Sequence, residues 1–472
     1  MTTLTINNRT VNVAPDTLLI DACRAAGVEI PHYCYHPCLK TVATCRMCAV
    51  EVKGQPKLVT SCSTPVADGM EVRTDTQAVA EARAGVIEFL LLNHPLDCPI
   101  CDQAGECKLQ DYSYQYGSGD SRMTEPKNHY DYEELGAKIV IDKNRCVHCT
   151  RCVRFTRDIT ATGELTPTNR GSHLEITTFA GLTLDSNPFA GNLVDLCPVG
   201  ALTSRDFRFK KRSWYLKPIP TISRHGADAK PIWADVDRNR LWRFRPRPEG
   251  NITPACFISD EERMAYRRYC LDPSQRLITP TLNGKNAEIS DIAQAIKASG
   301  PVAVAAQGTF GCDALEKLGE MAYSEQLRYA HGNKRIPVQN AAIQKSDDGV
   351  INKKGIIARG YRFDALQELL SRVEAGEVKA VVIYHDSEFS DENENALLKR
   401  IAEKSHFSLA LEPIPSGLAK AANATLPVAT YLEESDFIID HQGSEKRYTR
   451  ALIPPKGVKT PGDWVKELLI GH

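Results

Sequence analysis

Cysteine placement constrains this chain more than any other feature. Of its 16 cysteines, all but Cys256, Cys270 and Cys312 lie at or before Cys197. The front cysteines are grouped: C-x10-C-x2-C-x13-C from Cys34 to Cys62, H-x3-C-x2-C-x5-C from His94 to Cys107, and C-x2-C-x2-C from Cys146 to Cys152 with a remote Cys197-Pro198. The opening "MTTLTINNRTVNV" alternates like a strand and has no charged start, apolar stretch or small-residue cleavage site, so a secretory signal is not expected. In a reducing compartment, grouped cysteines hold metals more often than disulfides. The chemistry is therefore expected in the front part.

At 472 residues the chain exceeds what a single core supports, so several domains are expected. Lys+Arg of 58 against Asp+Glu of 59 leaves a net charge of -1, which gives no reason to expect nucleic acid as a partner. The longest apolar run, "VIEFLLL", contains Glu88 and is far too short to span a bilayer. No G-x-G-x-x-G occurs, so no Rossmann-type dinucleotide site is signalled.

"TLTIN" and "RTVNV" around Asn7-Asn8 predict a hairpin, since Asn tolerates positive φ. "APDTLLIDACRAAG" predicts a short helix with Asp16 as its cap and Gly27 just past its end, and "CAVEV" and "KLVTSC" predict a second hairpin. Cys34, Cys45, Cys48 and Cys62 then fall on loops of a small α+β domain. A 2Fe-2S rhomb needs two thiolates on each iron, which four such cysteines supply. The plant-type pattern has four residues in its first gap and this chain has ten, so a zinc ribbon stays open on spacing alone. Cys23, inside the helix, reads as a core residue, and Cys38 has no assigned role.

From Ala78, "AVAEARAGVIEFLLLNHP" places Val79, Ala82, Val86, Phe89 and Leu90 at helical steps, and Pro95 should end the helix. His94 at its end would ordinarily be a favourable dipole partner. Next to Cys98, Cys101 and Cys107 it becomes a candidate ligand, either of a zinc ion held by three cysteines and one histidine or of a 4Fe-4S cube. The third group, Cys146, Cys149, Cys152 and Cys197-Pro198, is the bacterial-ferredoxin arrangement with its last ligand moved away, and points to a 4Fe-4S cube.

"NHPLDCPICDQAGEC", with "CRMC" before it and "CVHCTRC" and "DLCPVGAL" after it, resembles the front half of the G subunits of NADH:quinone oxidoreductase, respiratory complex I. The resemblance covers residues 1 to about 214. It implies a 2Fe-2S cluster on Cys34, Cys45, Cys48 and Cys62, a 4Fe-4S cluster on His94, Cys98, Cys101 and Cys107, and a second 4Fe-4S cluster on Cys146, Cys149, Cys152 and Cys197. It further implies a multidomain α+β and α/β fold. A β-grasp 2Fe-2S ferredoxin-like domain would occupy 1–77, the histidine-and-cysteine-ligated 4Fe-4S segment 78–138, a 4Fe-4S ferredoxin-like domain 139–214, and a reduced molybdopterin oxidoreductase-like domain without cofactor 215–472.

For that last part, residues 421 to 457 resemble a characteristic stretch of molybdopterin oxidoreductases, while "PVAVAA", "KAVVIY" and "ALQELLSRVEA" predict α/β layers. Thr221, Ser223, His225 and Ser259 stand where such proteins carry cysteines for a further cluster, so neither a fourth cluster nor molybdenum is expected. Cys256, Cys270 and Cys312 read as core or surface thiols.

The implied function is an electron-transfer subunit of the peripheral arm, with no catalytic residue, NADH site or quinone site of its own. Its implied partners are the flavin (FMN) and NADH-binding subunit, a thioredoxin-like 2Fe-2S subunit, a subunit with two 4Fe-4S clusters and other complex I subunits. The implied location is peripheral, on the cytoplasmic face of the bacterial inner membrane. An electron-transfer subunit of a soluble NAD-linked hydrogenase or formate dehydrogenase is the alternative within the same chemistry, and a zinc scaffold the alternative outside it.

Overall fold

The computed structural model describes residues 1–131, 133–179, 181–226, 228–248, 256–270, 273–331, 350–363, 365–386 and 389–470. The chain forms two compact units, Met1–Leu216 and Lys217–Gly250 with Pro254–His472.

The first unit opens with β1 (Thr2–Ile6) and β2 (Arg9–Val13), antiparallel across Asn7 and Asn8, which both take positive φ as their turn requires. Helix α1 (Leu19–Ala25) follows, then β3 (Ala49–Val52), β4 (Val59–Thr60) and β5 (Glu71–Arg73). The sheet order is β2-β1-β5-β3-β4, with β5 parallel to β1 and antiparallel to β3. Leu4, Ile6, Leu19, Ile20, Val50 and Val72 fill the space between sheet and helix. The helix starts later than expected. Asp16 lies at φ 65, off the helical path, and Leu18 takes the cap position without a capping side chain.

Helix α2 (Gln77–Leu91) is capped by the Thr76 hydroxyl, which accepts from the Val79 N–H. Its buried stripe is Val79, Arg83 and Ile87, while Phe89 points to solvent, 73% exposed. The expected face is thus rotated, because an arginine occupies its centre. Helix α3 (Lys108–Tyr116) packs against α2.

A three-stranded sheet, in the order β10-β7-β6, holds the last part of this unit: β6 (Glu133–Glu134), β7 (Ile139–Ile141) and β10 (Leu202–Ser204). Between β7 and β10 the chain makes α4 (Arg151–Arg154), which widens into a π-helical turn over Phe155–Ile159. It continues through the separate hairpin β8 (Leu165–Thr168) and β9 (Glu175–Thr178), then α5 (Asn192–Leu196).

The second unit has a three-stranded antiparallel sheet, β11 (Lys217–Ile222), β12 (Pro231–Asp237) and β13 (Arg240–Pro246). It also has a seven-stranded sheet built from β14 (Thr281–Leu282), β15 (Lys285–Asn286), β16 (Val302–Gln307), β17 (Arg328–His331), β18 (Ala380–Tyr384), β19 (Phe407–Glu412) and β20 (Ala424–Pro427), in the order β15-β14-β20-β19-β18-β16-β17. "PVAVAA" and "KAVVIY" form β16 (Val302–Gln307) and β18 (Ala380–Tyr384), which pair in parallel, and "LQELLSRVE" is helical over Leu366–Glu374. Near-continuous Val, Ile and Ala runs fit strands covered on both faces. Among the described residues no helix is long and apolar enough to cross a membrane.

Candidate metal centres

The three donor sets lie in the first unit, each on a loop fixed by its flanking elements. In the first set, the β3–β4 hairpin pairs Ala49 with Thr60, and the Ser61 N–H donates to the Cys48 carbonyl at 3.1 Å, so Cys48 and Cys62 flank one strand end. Cys34 and Cys45 come from the preceding loop, which turns through left-handed Ala43 and Arg46. The Cys34 N–H donates to Cys45 Sγ at 3.5 Å.

The four thiols form one hydrogen-bonded group. Cys34 is held well below the usual thiol range by bonds from Cys45 and Cys62, and Cys48 falls to about 7 through Cys62, while Cys45 and Cys62 are pushed up in return. Four sulfurs linked in one run, Cys45 to Cys34 to Cys62 to Cys48, buried or nearly so, fit a thiolate-bound 2Fe-2S cluster. Arg83 reaches toward this set from α2, buried, with Nε and Nη2 lacking hydrogen-bond partners and its guanidinium 5.3 Å from the Tyr116 ring centroid.

In the second set, Cys98 opens a single 3-10 turn and Cys107 immediately precedes α3. Gly105, at φ 87, makes the turn between Cys101 and Cys107, and a Cβ there would lie 2.7 Å from the Trp214 ring. His94 follows the end of α2. Burial lowers its pKa to about 4, and its Nδ1 is buried without a hydrogen-bond partner. A neutral imidazole with an unsatisfied ring nitrogen is the ligand form of histidine, so this residue fits the set. Beside it, buried Arg145 is tied to Asp97 at 2.5 Å and Asp142 at 3.3 Å.

In the third set, β7 and β10 pair Ile141 with Leu202, and the Asp142 N–H donates to the Ala201 carbonyl at 2.8 Å. This brings Cys146, just after β7, to Cys197, just before β10. His148 and Thr150, both left-handed, alternate with the cysteines and turn the loop around them. Cys146, Cys149, Cys152 and Cys197 line one cavity with Pro198 and Val199. Burial pushes all four thiols up, Cys197 to about 12, so they need a cation to ionise there. Iron supplies one, and the four-thiol donor set fits a cube.

Among the described residues no three or more His, Cys, Asp or Glu side chains form a group that could hold a single metal ion.

Two connections tie the sets together. The Lys108 N–H, next to Cys107, donates to the Pro198 carbonyl, next to Cys197, at 2.9 Å. Gly200 packs directly on the second set: a Cβ there would stand 2.3 Å from Cys101 Sγ. Between the first and third sets lie Arg151 and Arg154. Arg151 donates to the Tyr35 carbonyl and to that of Leu196 at 3.1 Å. Arg154 donates to the carbonyls of Cys34 at 2.5 Å, Lys40 at 2.6 Å and Cys149 at 3.2 Å. The sequence reading passed over both arginines, as it did Arg145, Asp97 and Gly200. The available signal was "CTRCVR", where the two arginines alternate with ligands.

In the second unit Thr221, Ser223, His225 and Ser259 are all buried. Ser259 caps a helix, Asp260–Met264, in a capping box with Glu262. Cys270 donates to the Leu241 carbonyl and Cys312 to Asn352 Oδ1, so both serve structure. Cys23 is a core thiol that burial pushes to about 12. Cys256 is buried and is not a free thiol, which corrects its reading as one.

Three family models match the first unit. Residues 1–77 match the 2Fe-2S iron-sulfur cluster binding domain, 83–122 the NADH-ubiquinone oxidoreductase-G iron-sulfur binding region, and 136–203 the ferredoxin-like domain of NADH-quinone oxidoreductase subunit 3. One 2Fe-2S and two 4Fe-4S clusters are the complement these segments describe. The G subunit of the NADH-quinone oxidoreductase of Rickettsia felis is 40% identical over 372 residues, 74% of this chain and 54% of the relative. The NADH-ubiquinone oxidoreductase 75 kDa subunit of Reclinomonas americana is 42% identical over 266 residues, 56% of this chain and 38% of the relative. The chain thus spans about half the length of the curated relatives it matches. A solved NAD+-reducing [NiFe]-hydrogenase aligns with a TM-score of 0.41 at 28% identity, covering 45% of this chain and 91% of that one.

Proposed function

We propose that this chain, a homologue of the G subunits of NADH-quinone oxidoreductase, is the electron-relay subunit of a complex I peripheral arm. The 2Fe-2S cluster would sit on Cys34, Cys45, Cys48 and Cys62, one 4Fe-4S cluster on His94, Cys98, Cys101 and Cys107, and the other on Cys146, Cys149, Cys152 and Cys197. Bound there, such clusters carry single electrons. The chain's own residues hold the ligand loops, exclude water and set the charge around each site.

One observation carries this reading. The third set is hydrogen-bonded to the first through Arg154 and to the second through Lys108 and Pro198. This supports an order that runs from the flavin side through the Cys34 set, the Cys146 set and the His94 set to the next subunit. The partners in this reading are the flavin and NADH-binding subunit, a thioredoxin-like 2Fe-2S subunit and a subunit with two 4Fe-4S clusters. The location is peripheral, on the cytoplasmic face of the membrane. The domain limits fall at 77, 138 and 214, and residues 215–472 form a reduced molybdopterin oxidoreductase-like domain without its cofactor.

Iron, acid-labile sulfide and zinc in anaerobically purified protein, with low-temperature EPR after dithionite reduction, test the proposal. About ten irons with separate 2Fe-2S and 4Fe-4S signals are expected. Two or three zinc ions in place of iron would refute it. Isolation with native partners separates the hosts: membrane-embedded subunits accompany the chain in complex I and are absent from a soluble hydrogenase.

A further inference from the structure

Arg151 and Arg154 are 8% and 1% exposed, yet every hydrogen bond they make goes to a backbone carbonyl. Neither forms an ion pair with a carboxylate among the described residues; Asp158 feels the charge of Arg154 without pairing to it and is held by Arg157 at 2.6 Å. Arg145, near the His94 set, is different: it is just as buried but carries Asp97 and Asp142 against its guanidinium. Carbonyl dipoles satisfy the geometry of a buried guanidinium but do not cancel its charge, and an uncompensated buried charge is costly. Something anionic must face the two bare arginines. The groups on either side are Cys34 and Cys149, whose carbonyls Arg154 grips with one nitrogen, and Leu196, beside Cys197, which Arg151 grips while also holding Tyr35. Four-thiolate clusters are anionic, and a cluster with one neutral imidazole is less so. The uncompensated arginines therefore stand between the two all-cysteine sets, and the compensated one stands beside the histidine set.

We propose that Arg151 and Arg154 form a shared cationic bridge between the Cys34 cluster and the Cys146 cluster, whose charge raises the reduction potentials of both. The proposal rests on the ligand sets given under the proposed function. Adding an electron makes a cluster more negative, so a fixed cation in a low-dielectric interior favours the reduced form. Because one guanidinium contacts both loops, its removal should move two potentials at once. Ligand geometry and charge are separable: Lys keeps the charge on a flexible stem but loses the planar fork, whereas Gln loses the charge.

The test is an EPR-monitored redox titration of the complete complex carrying Arg154→Gln, Arg154→Lys or, as a control, Arg73→Gln, whose side chain is 50% exposed beside Asp75. Arg154→Gln should lower the reduced-to-oxidised ratio of both clusters at least tenfold at fixed potential, about 59 mV for a one-electron couple. The His94 cluster should change less, Arg154→Lys should stay near the parent, and Arg73→Gln should change nothing. Unmoved potentials in a fully loaded Arg154→Gln protein would overturn the bridge. If Arg154→Gln does not retain its clusters, Arg154→Lys decides. Loaded clusters at the parent potentials support a role of charge, and lost clusters or displaced potentials overturn it. Parent protein without the expected iron would instead defeat the ligand assignment itself.

Discussion

Gly200→Ala is expected to damage the cluster that Gly200 does not belong to. The residue lies in the Cys197-Pro198-Val199-Gly200 turn of the third set, yet a Cβ there would meet Cys101 Sγ of the second set at 2.3 Å and Gln103 Cβ at 3.1 Å. Its φ is not left-handed, so the backbone accepts alanine and the obstacle is contact alone. Ordinary van der Waals separation is roughly 3.5–4.0 Å, so the sulfur must retreat by about 1.2–1.7 Å. Metal-ligand distances tolerate only about 0.2 Å, several times less than that retreat. Overpacking of this kind costs about 1–3 kcal/mol, which leaves the rest of the unit folded. The assay is iron content with EPR on the purified complex. About four of about ten irons should be lost together with the His94 cluster signal, while the 2Fe-2S signal persists. Loss of the Cys146 cluster with the His94 cluster retained, or full loading of both, would refute the reasoning.

Two further outcomes are expected. His94→Cys should keep a cube but lower its potential, with at least a tenfold change in the reduced-to-oxidised ratio or about 59 mV, because an anionic thiolate favours the oxidised cluster; EPR titration reads it, and an unchanged potential with the cube intact removes His94 from the ligand set. In the second unit, burial raises the Glu434 carboxyl from 4.5 to about 8 against the opposing pull of Arg224. The folded state therefore keeps a proton that the unfolded chain releases, and stability falls as pH rises from about 4.5 to about 8. Glu434→Gln should flatten that slope in thermal melts across the same range, and a variant with the parent's slope would show that another group sets it.

The parts of this molecule legible from its sequence are those specified locally. The Asn7-Asn8 hairpin, the second hairpin and the strands in "PVAVAA" and "KAVVIY" need only turn residues and patterning. The grouping of the cysteines was legible because it is local in sequence, and the structure keeps Cys34 with Cys45 and lines one cavity with Cys146, Cys149, Cys152 and Cys197. Two local errors have physical causes. Asp16 reads as a cap but sits in a left-handed turn before the helix, and the α2 face was misplaced because an arginine, which sequence patterning treats as solvated, lies at its buried centre. Arg151 and Arg154 were not legible for a different reason. Their partners are carbonyls, three of them 114 to 120 residues away at Lys40, Tyr35 and Cys34, and carbonyls carry no side-chain signature.

The β8–β9 hairpin pairs only with itself, although it lies between the third and fourth ligands of the Cys146 set. Cys197 owes its position to β10 pairing with β7, not to the length of chain that precedes it. The length of the intervening segment can therefore vary over evolutionary time, whereas the hairpin face that carries Ile176, which lines the cavity of the four cysteines, and Glu175, which pairs with Lys143 at 3.0 Å, cannot.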